Sequence, residues 1–143
     1  MAVNKLLCYL ALALPLHRLS VTSGFGWRIH PITHHLDFHA GVDLRANCDT
    51  VYAMTGGSVQ AGYDHLLGNY IRINANGLEI TYGHLSQIFA LTGDSVKANQ
   101  PVAVTGSTGR VTASHLHFAV RYLGRYIDPI TFLIHAMQYI NLK

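Results

Sequence analysis

The run Ser114-His115-Leu116-His117-Phe118-Ala119-Val120 constrains this chain more than any other stretch, because it sets two imidazoles two residues apart among apolar and aromatic side chains. Side chains on a strand repeat every two residues, so both imidazoles leave one face while Leu116 points into a core behind them. Neutral imidazole is the commonest metal ligand and also the side chain that titrates nearest neutrality. Such a pair can bind a metal, move a proton or divide the two tasks. It can equally sit on a solvated strand face, so the other residues have to decide.

The chain has 143 residues, enough for one domain with a real core and too few for two ordinary ones. Half of them are apolar and 12% charged, which argues against disorder and against a charge-laced helical bundle. Thirteen glycines and eight tyrosines suit a β-rich fold with many turns. The net charge of +3 is a mild excess that would help approach to an anionic polymer, but the basic residues are scattered and no motif points to nucleic acid. Two cysteines, Cys8 and Cys48, can build neither a disulfide framework nor a cysteine zinc site. Any metal must therefore use histidine and carboxylate. Glu79 is the one glutamate, which excludes a His-Glu-x-x-His metalloprotease.

Residues 1–19 form an apolar N-terminal segment, with Lys5 ahead of a run from Leu6 to Leu16 interrupted at Pro15. Its length and flank fit a signal-peptide hydrophobic region and are too short for a membrane span. His17, Arg18 and Leu19 stand where small residues would precede a cleavage site, so a first strand packed on the domain is the alternative. Residues 20–143 read as one mainly β domain. Strands are expected from Leu19 to Thr22, Gly24 to Ile29, Val51 to Ala53, Ser58 to Ala61 and Asn69 to Ile73, the last joined through Asn74-Ala75-Asn76-Gly77 to Leu78–His84 as a hairpin. Leu85 to Leu91 is expected to hold a helical turn, and His30 to Asp37 to form an exposed connection with solvated histidines. Asp128-Pro129 opens a C-terminal helix through about Gln138. His17, His65 and His135 have no partner motif and read as surface or ordinary core positions.

Zinc in hydrolases takes three protein ligands and leaves a position for water. His39, Asp43, His84, His115 and His117 all fall on ordered elements, so three can ligate and two remain for proton work. With no glutamate beside any histidine pair, the base that accepts a proton from water must itself be a histidine.

The motifs His39-x-x-x-Asp43, Tyr82-Gly83-His84-Leu85-Ser86 and His115-Leu116-His117-Phe118 resemble, in order and context, those of the lysostaphin-like (LytM-type) zinc peptidoglycan endopeptidases. The likeness runs from about Val21 to Phe132 and includes Ser23-Gly24-Phe25-Gly26, Arg28-Ile29-His30-Pro31 and Gly68-Asn69-Tyr70. It implies a twisted, mainly antiparallel β-sheet framing a groove with zinc at its floor. By the family pattern His39, Asp43 and His117 would hold the zinc, His115 would be the general base, and His84 would orient the water or stabilise the oxyanion. The substrate implied is bacterial peptidoglycan, met outside the cytoplasmic membrane by a monomeric enzyme. Arg110 to Ser114, between Gly106-Ser107-Thr108-Gly109 and the His-x-His strand, departs from the usual short approach and would reshape one groove wall. A non-catalytic wall-binding or amidase-activator module of the same fold is the rival, and such modules lack one or more of the five residues. A D-alanyl-D-alanine metallopeptidase would carry Glu-x-x-His, whereas Glu79 is followed by Ile80, Thr81 and Tyr82.

Overall fold

The computed structural model describes residues 2–142. In chain order they form α1 (Ala2–Tyr9), β1 (Val21–Ser23), β2 (Gly26–Ile29), β3 (Leu36–His39), β4 (Val42–Arg45), β5 (Thr50–Tyr52), β6 (Gly57–Asp64), β7 (Gly68–Ala75), β8 (Leu78–Ile88), β9 (Ser95–Val96), β10 (Pro101–Thr105), β11 (His115–Tyr122), β12 (Arg125–Ile127) and α2 (Pro129–Asn141). Every strand pairing is antiparallel. The main sheet runs β1-β4-β11-β8-β7-β6-β9, with β12 on β11 and β10 joining β8 to β5, while β2 and β3 form a separate two-stranded sheet.

Alternation along β4 and β11 divides core from site. Val42 and Leu44 on β4 and Leu116, Phe118 and Val120 on β11 are fully buried on one face, and Leu44 pairs with Leu116 as Val42 does with Phe118. Asp43 and Arg45 leave the opposite face across from His117 and His115. Behind the sheet the core continues through Ile71, Ile73, Leu78, Ile80 and Tyr82 to Phe132, Leu133 and Ala136 of α2. Each such large apolar side chain contributes ~1.5–3 kcal/mol by leaving water, so the sheet has ample support of its own. Tyr82 meets Phe118 edge to face at 5.7 Å, and its hydroxyl accepts the Met54 N–H at 3.0 Å. Packing therefore accounts for both aromatics.

The expected hairpin forms from β7 and β8, turning at Asn76 and Gly77 with φ of 51° and 82°, the left-handed pair of a type I′ turn. The Asp128 carboxylate caps α2 by accepting the Ile130 N–H at 2.9 Å. Two expectations fail. Leu85 to Ile88 continue β8 as a strand, because Thr105, Val104 and Ala103 of β10 pair with Leu85, Gln87 and Ile88. At the N-terminus the alternative of a first strand gives way: Ala2–Tyr9 is a helix that buries Val3 and Leu7 in the core beside α2. The chain then crosses the sheet's end irregularly, where Ala13 N–H donates to the Met54 carbonyl and Tyr52 N–H to the Pro15 carbonyl. Among the described residues no helix is long and apolar enough to cross a membrane.

Candidate active site

Three chain segments meet on the polar face of β4 and β11. Asp43 and His117 are directly opposed across the two strands, and His39 arrives from the end of β3 through the short link Ala40-Gly41. That link lies flat against β11 because residue 41 has no side chain: a Cβ there would sit 2.6 Å from the Phe118 carbonyl oxygen and 2.8 Å from Cε1 of His117. His39 Nδ1–H donates to the Gly24 carbonyl at 2.8 Å, which fixes the ring and turns a bare Nε2 inward.

The inward atoms then crowd together. His39 Nε2 is 3.2 Å from Asp43 Oδ1 and 3.3 Å from His117 Nδ1, which is itself 3.3 Å from Asp43 Oδ1. Donors on a tetrahedral zinc with bonds of about 2.0–2.1 Å stand roughly 3.3 Å apart. Two imidazoles and a carboxylate at that spacing fit the ion, and among the described residues these three form the group able to hold a metal. His39 and Asp43 are each 8% exposed, so the donors face a largely dehydrated pocket floor.

His84 and His115 flank this group. Their rings meet edge to face at 4.7 Å, and His84 stands 5.9 Å from His117. His84 reaches inward through a bulge: its φ is 62°, and the β7–β8 register shifts beside it, giving β8 one extra residue. Its N–H donates to the Leu67 carbonyl, and Nδ1–H donates to the Thr108 carbonyl at 2.8 Å. Thr108 is held there by close backbone approach, since a Cβ on Gly109 (φ 80°) would lie 2.3 Å from the Gly68 nitrogen. His115 Nδ1–H donates to the Ala113 carbonyl at 2.9 Å, leaving Nε2 3.4 Å from Asp43 Oδ1.

The electrostatics separate the two flanking histidines. Burial opposes charge on both. At His84 it dominates and brings the pKa down to about 4, so the ring is neutral with an Nε2 lone pair toward the site. At His115 burial is outweighed by the hydrogen bond and charge of Asp43, and the pKa rises. Burial also works against the Asp43 carboxylate, but the imidazoles of His115, His117 and His39 around it prevail and hold it far below the usual carboxylate range. Burial lowers His117 despite Asp43.

All five histidine and aspartate positions singled out in the sequence thus come together. They floor a groove of about 850 Å³ walled by residues 28–32, 37–38 and 110–114 with Leu66 and Leu67. His34 and His35 stay exposed at the β2–β3 tip and do not line it, and His17 instead bonds the Tyr52 hydroxyl at 2.8 Å. His30 departs from expectation. It is buried, its Nδ1 accepts the N–H groups of Ile32 and Thr33 at 3.1 and 3.3 Å, and burial with Arg110 and Arg28 lowers its pKa. Pro31 after it, forcing the turn that presents those two N–H groups, is the signal that could have revealed this.

The sequence profile described as peptidase family M23 matches residues 37–129, well over half of the chain. The chain belongs to peptidase family M23. Among M23-related proteins, the DD-carboxypeptidase/endopeptidase Mpg of Neisseria meningitidis serogroup B is 36% identical over 126 residues, covering 82% of this chain and 28% of the relative. Of solved structures, a zinc containing peptidase from Vibrio cholerae superposes with a TM-score of 0.74 at 35% identity, covering 80% of this chain and 37% of that one. The catalytic domain of the antimicrobial peptidase lysostaphin from Staphylococcus simulans superposes with a TM-score of 0.73 at 33% identity, covering 80% and 92%. This M23 chain therefore spans little more than a quarter of the curated relative's length and nearly all of the lysostaphin domain.

Proposed function

We propose that this M23 domain is a zinc metallo-endopeptidase that hydrolyses a peptide bond in the stem or cross-bridge of bacterial peptidoglycan, outside the cytoplasmic membrane. The observation that carries the proposal is the convergence of His39, Asp43 and His117 at zinc-donor spacing with two further imidazoles over one open groove. Zinc held by those three residues would polarise the scissile carbonyl and make water acidic enough to deprotonate near neutrality.

The protein's own groups handle the protons. His115, with Nδ1–H tied to Ala113, exchanges protons at Nε2. It takes one from the attacking water and returns it to the departing nitrogen as the C–N bond breaks, so that the acyl half leaves as a carboxylic acid and the other half as an amine. His84 is neutral and has its one N–H on Thr108, so its Nε2 can accept a hydrogen bond but not give one. It therefore aligns the water. The oxyanion alternative would need a donor at that nitrogen.

Purified sacculi incubated with the zinc-loaded protein should yield new amino and carboxyl termini by mass spectrometry. Chelation should abolish the cleavage and zinc restore it. Hydrolysis that survives thorough chelation would sink the mechanism, and binding without new termini would favour the non-catalytic module.

A further inference from the structure

The groove walls carry charge that the hydrolytic residues leave unused. Arg28, Arg45 and Arg110 line the groove, against two carboxylates, Asp37 and Asp43. Asp43 is already engaged by three imidazoles, with Arg28 at 3.9 Å. Asp37 is exposed and accepts its neighbour Phe38's N–H at 2.8 Å. Arg28 is further held by Ser23, to which it donates. Arg45 and Arg110 remain: among the described residues neither is ion-paired, and the Arg110 guanidinium meets Nε2 of His30, itself a site of lowered pKa, at 3.4 Å.

Their positions make the surplus useful. Arg45 is directly opposed to His115 across β4 and β11, one step beyond the Asp43–His117 pair, so its side chain leaves the same face as the site. Arg110 comes from the facing wall, where its N–H is anchored on the Leu66 carbonyl at 3.1 Å. Two exposed guanidiniums thus line the groove, one from β4 and one from the loop ahead of β11. A guanidinium presents a planar fork of donors that matches a carboxylate.

We infer that Arg45 and Arg110 form a carboxylate-binding subsite that selects stem peptides bearing a free carboxylate beside the scissile amide. The inference rests on the peptidoglycan-peptidase reading. The carboxylate can be the peptide's C-terminus or the side chain of a diamino acid, and the two sources are separable by amidation.

The test uses four synthetic cross-linked stem peptides: both carboxyls free, the C-terminus amidated, the side chain amidated, and both amidated. Zinc-loaded protein should cleave the free peptide with a kcat/KM roughly 10- to 100-fold above the doubly amidated one, mostly through KM, as expected for charge-assisted hydrogen bonds. Whichever single amidation reproduces the loss identifies the source. Arg45→Gln and Arg110→Gln, both at exposed positions, should bring that ratio toward one. Calorimetric binding of the same peptides to zinc-loaded His115→Ala reads the subsite without turnover and should show the same order of affinities. Equal kcat/KM for free and doubly amidated peptides, or an unchanged ratio in both arginine variants, overturns the subsite while leaving the peptidase intact. Discriminating binding with no cleavage of any peptide or of sacculi by the wild type means that the peptidase reading has failed and the subsite has not.

Discussion

Replacing Gly41 by alanine puts the geometry of the site under direct strain. The added methyl would lie 2.6 Å from the Phe118 carbonyl oxygen, about 0.8 Å short of the 3.4 Å at which ordinary contact begins, and 2.8–2.9 Å from two atoms of the His117 ring. Phe118 cannot yield, since β11 is paired with β4 on one side and β8 on the other. The link between His39 and Asp43 must lift away instead, taking both donors with it. Overpacking of this kind costs ~1–3 kcal/mol, and displacement of reacting groups by about 1 Å can cost on the order of 10²-fold in rate. Urea unfolding should therefore show a modest loss of stability in a still-folded protein. Zinc content by plasma emission should fall at limiting zinc, and sacculus hydrolysis should fall with it. A folded Gly41→Ala protein with full zinc and wild-type turnover would refute the claim that this bend sets the donor spacing.

Three further outcomes are expected. His117→Ala should lose zinc and turnover together, whereas His115→Ala should keep zinc and lose turnover by roughly 10²–10⁴-fold; the reverse pattern in zinc content would exchange the two roles. Because the pKa of His84 is about 4 when folded against an ordinary 6.5, the unfolded chain takes up that proton first on acidification. Its contribution to stability is level above pH 6.5 and falls by ~2–3 kcal/mol between there and pH 4, so in chelator His84→Gln should flatten the pH dependence of urea midpoints; an unchanged slope would contradict the burial argument. Finally, in chelator the His115 ring should titrate above histidine's ordinary value by NMR, and Asp43→Asn should bring it down; a metal-free His115 that titrates below the ordinary value would contradict the Asp43 contact as its cause.

Much of this arrangement was legible from the period of the sequence. The His115-x-His117 spacing gives two imidazoles one face in any strand, and the turn Asn74–Gly77 has residues that accept positive φ. What escaped has physical reasons. Leu85, Ile88 and Leu91 are spaced three apart and mimic a helical stripe; pairing with β10, remote in sequence, overrides it. Val3, Leu6, Leu7 and Leu10 carry true helical spacing, but the continuous apolar run to Leu16 masks it, and the packing of Val3 and Leu7 on the core near α2 settles the matter. The bulge that swings His84 inward is set by the Leu67 and Thr108 carbonyls, from a neighbouring hairpin and a separate loop. No local pattern encodes such a contact. Arg45 looks like any solvent residue on a short strand until register places it across from His115.

The separate hairpin of β2 and β3 touches the floor of the groove through its last residue, His39, and bears Trp27, the chain's single tryptophan, 71% exposed and edge to face with Phe38 at 5.5 Å. The protein's one indole fluorophore is thereby mounted on the arm that a bound ion would clasp. Its emission and anisotropy can follow the seating of that arm in real time, with no label attached.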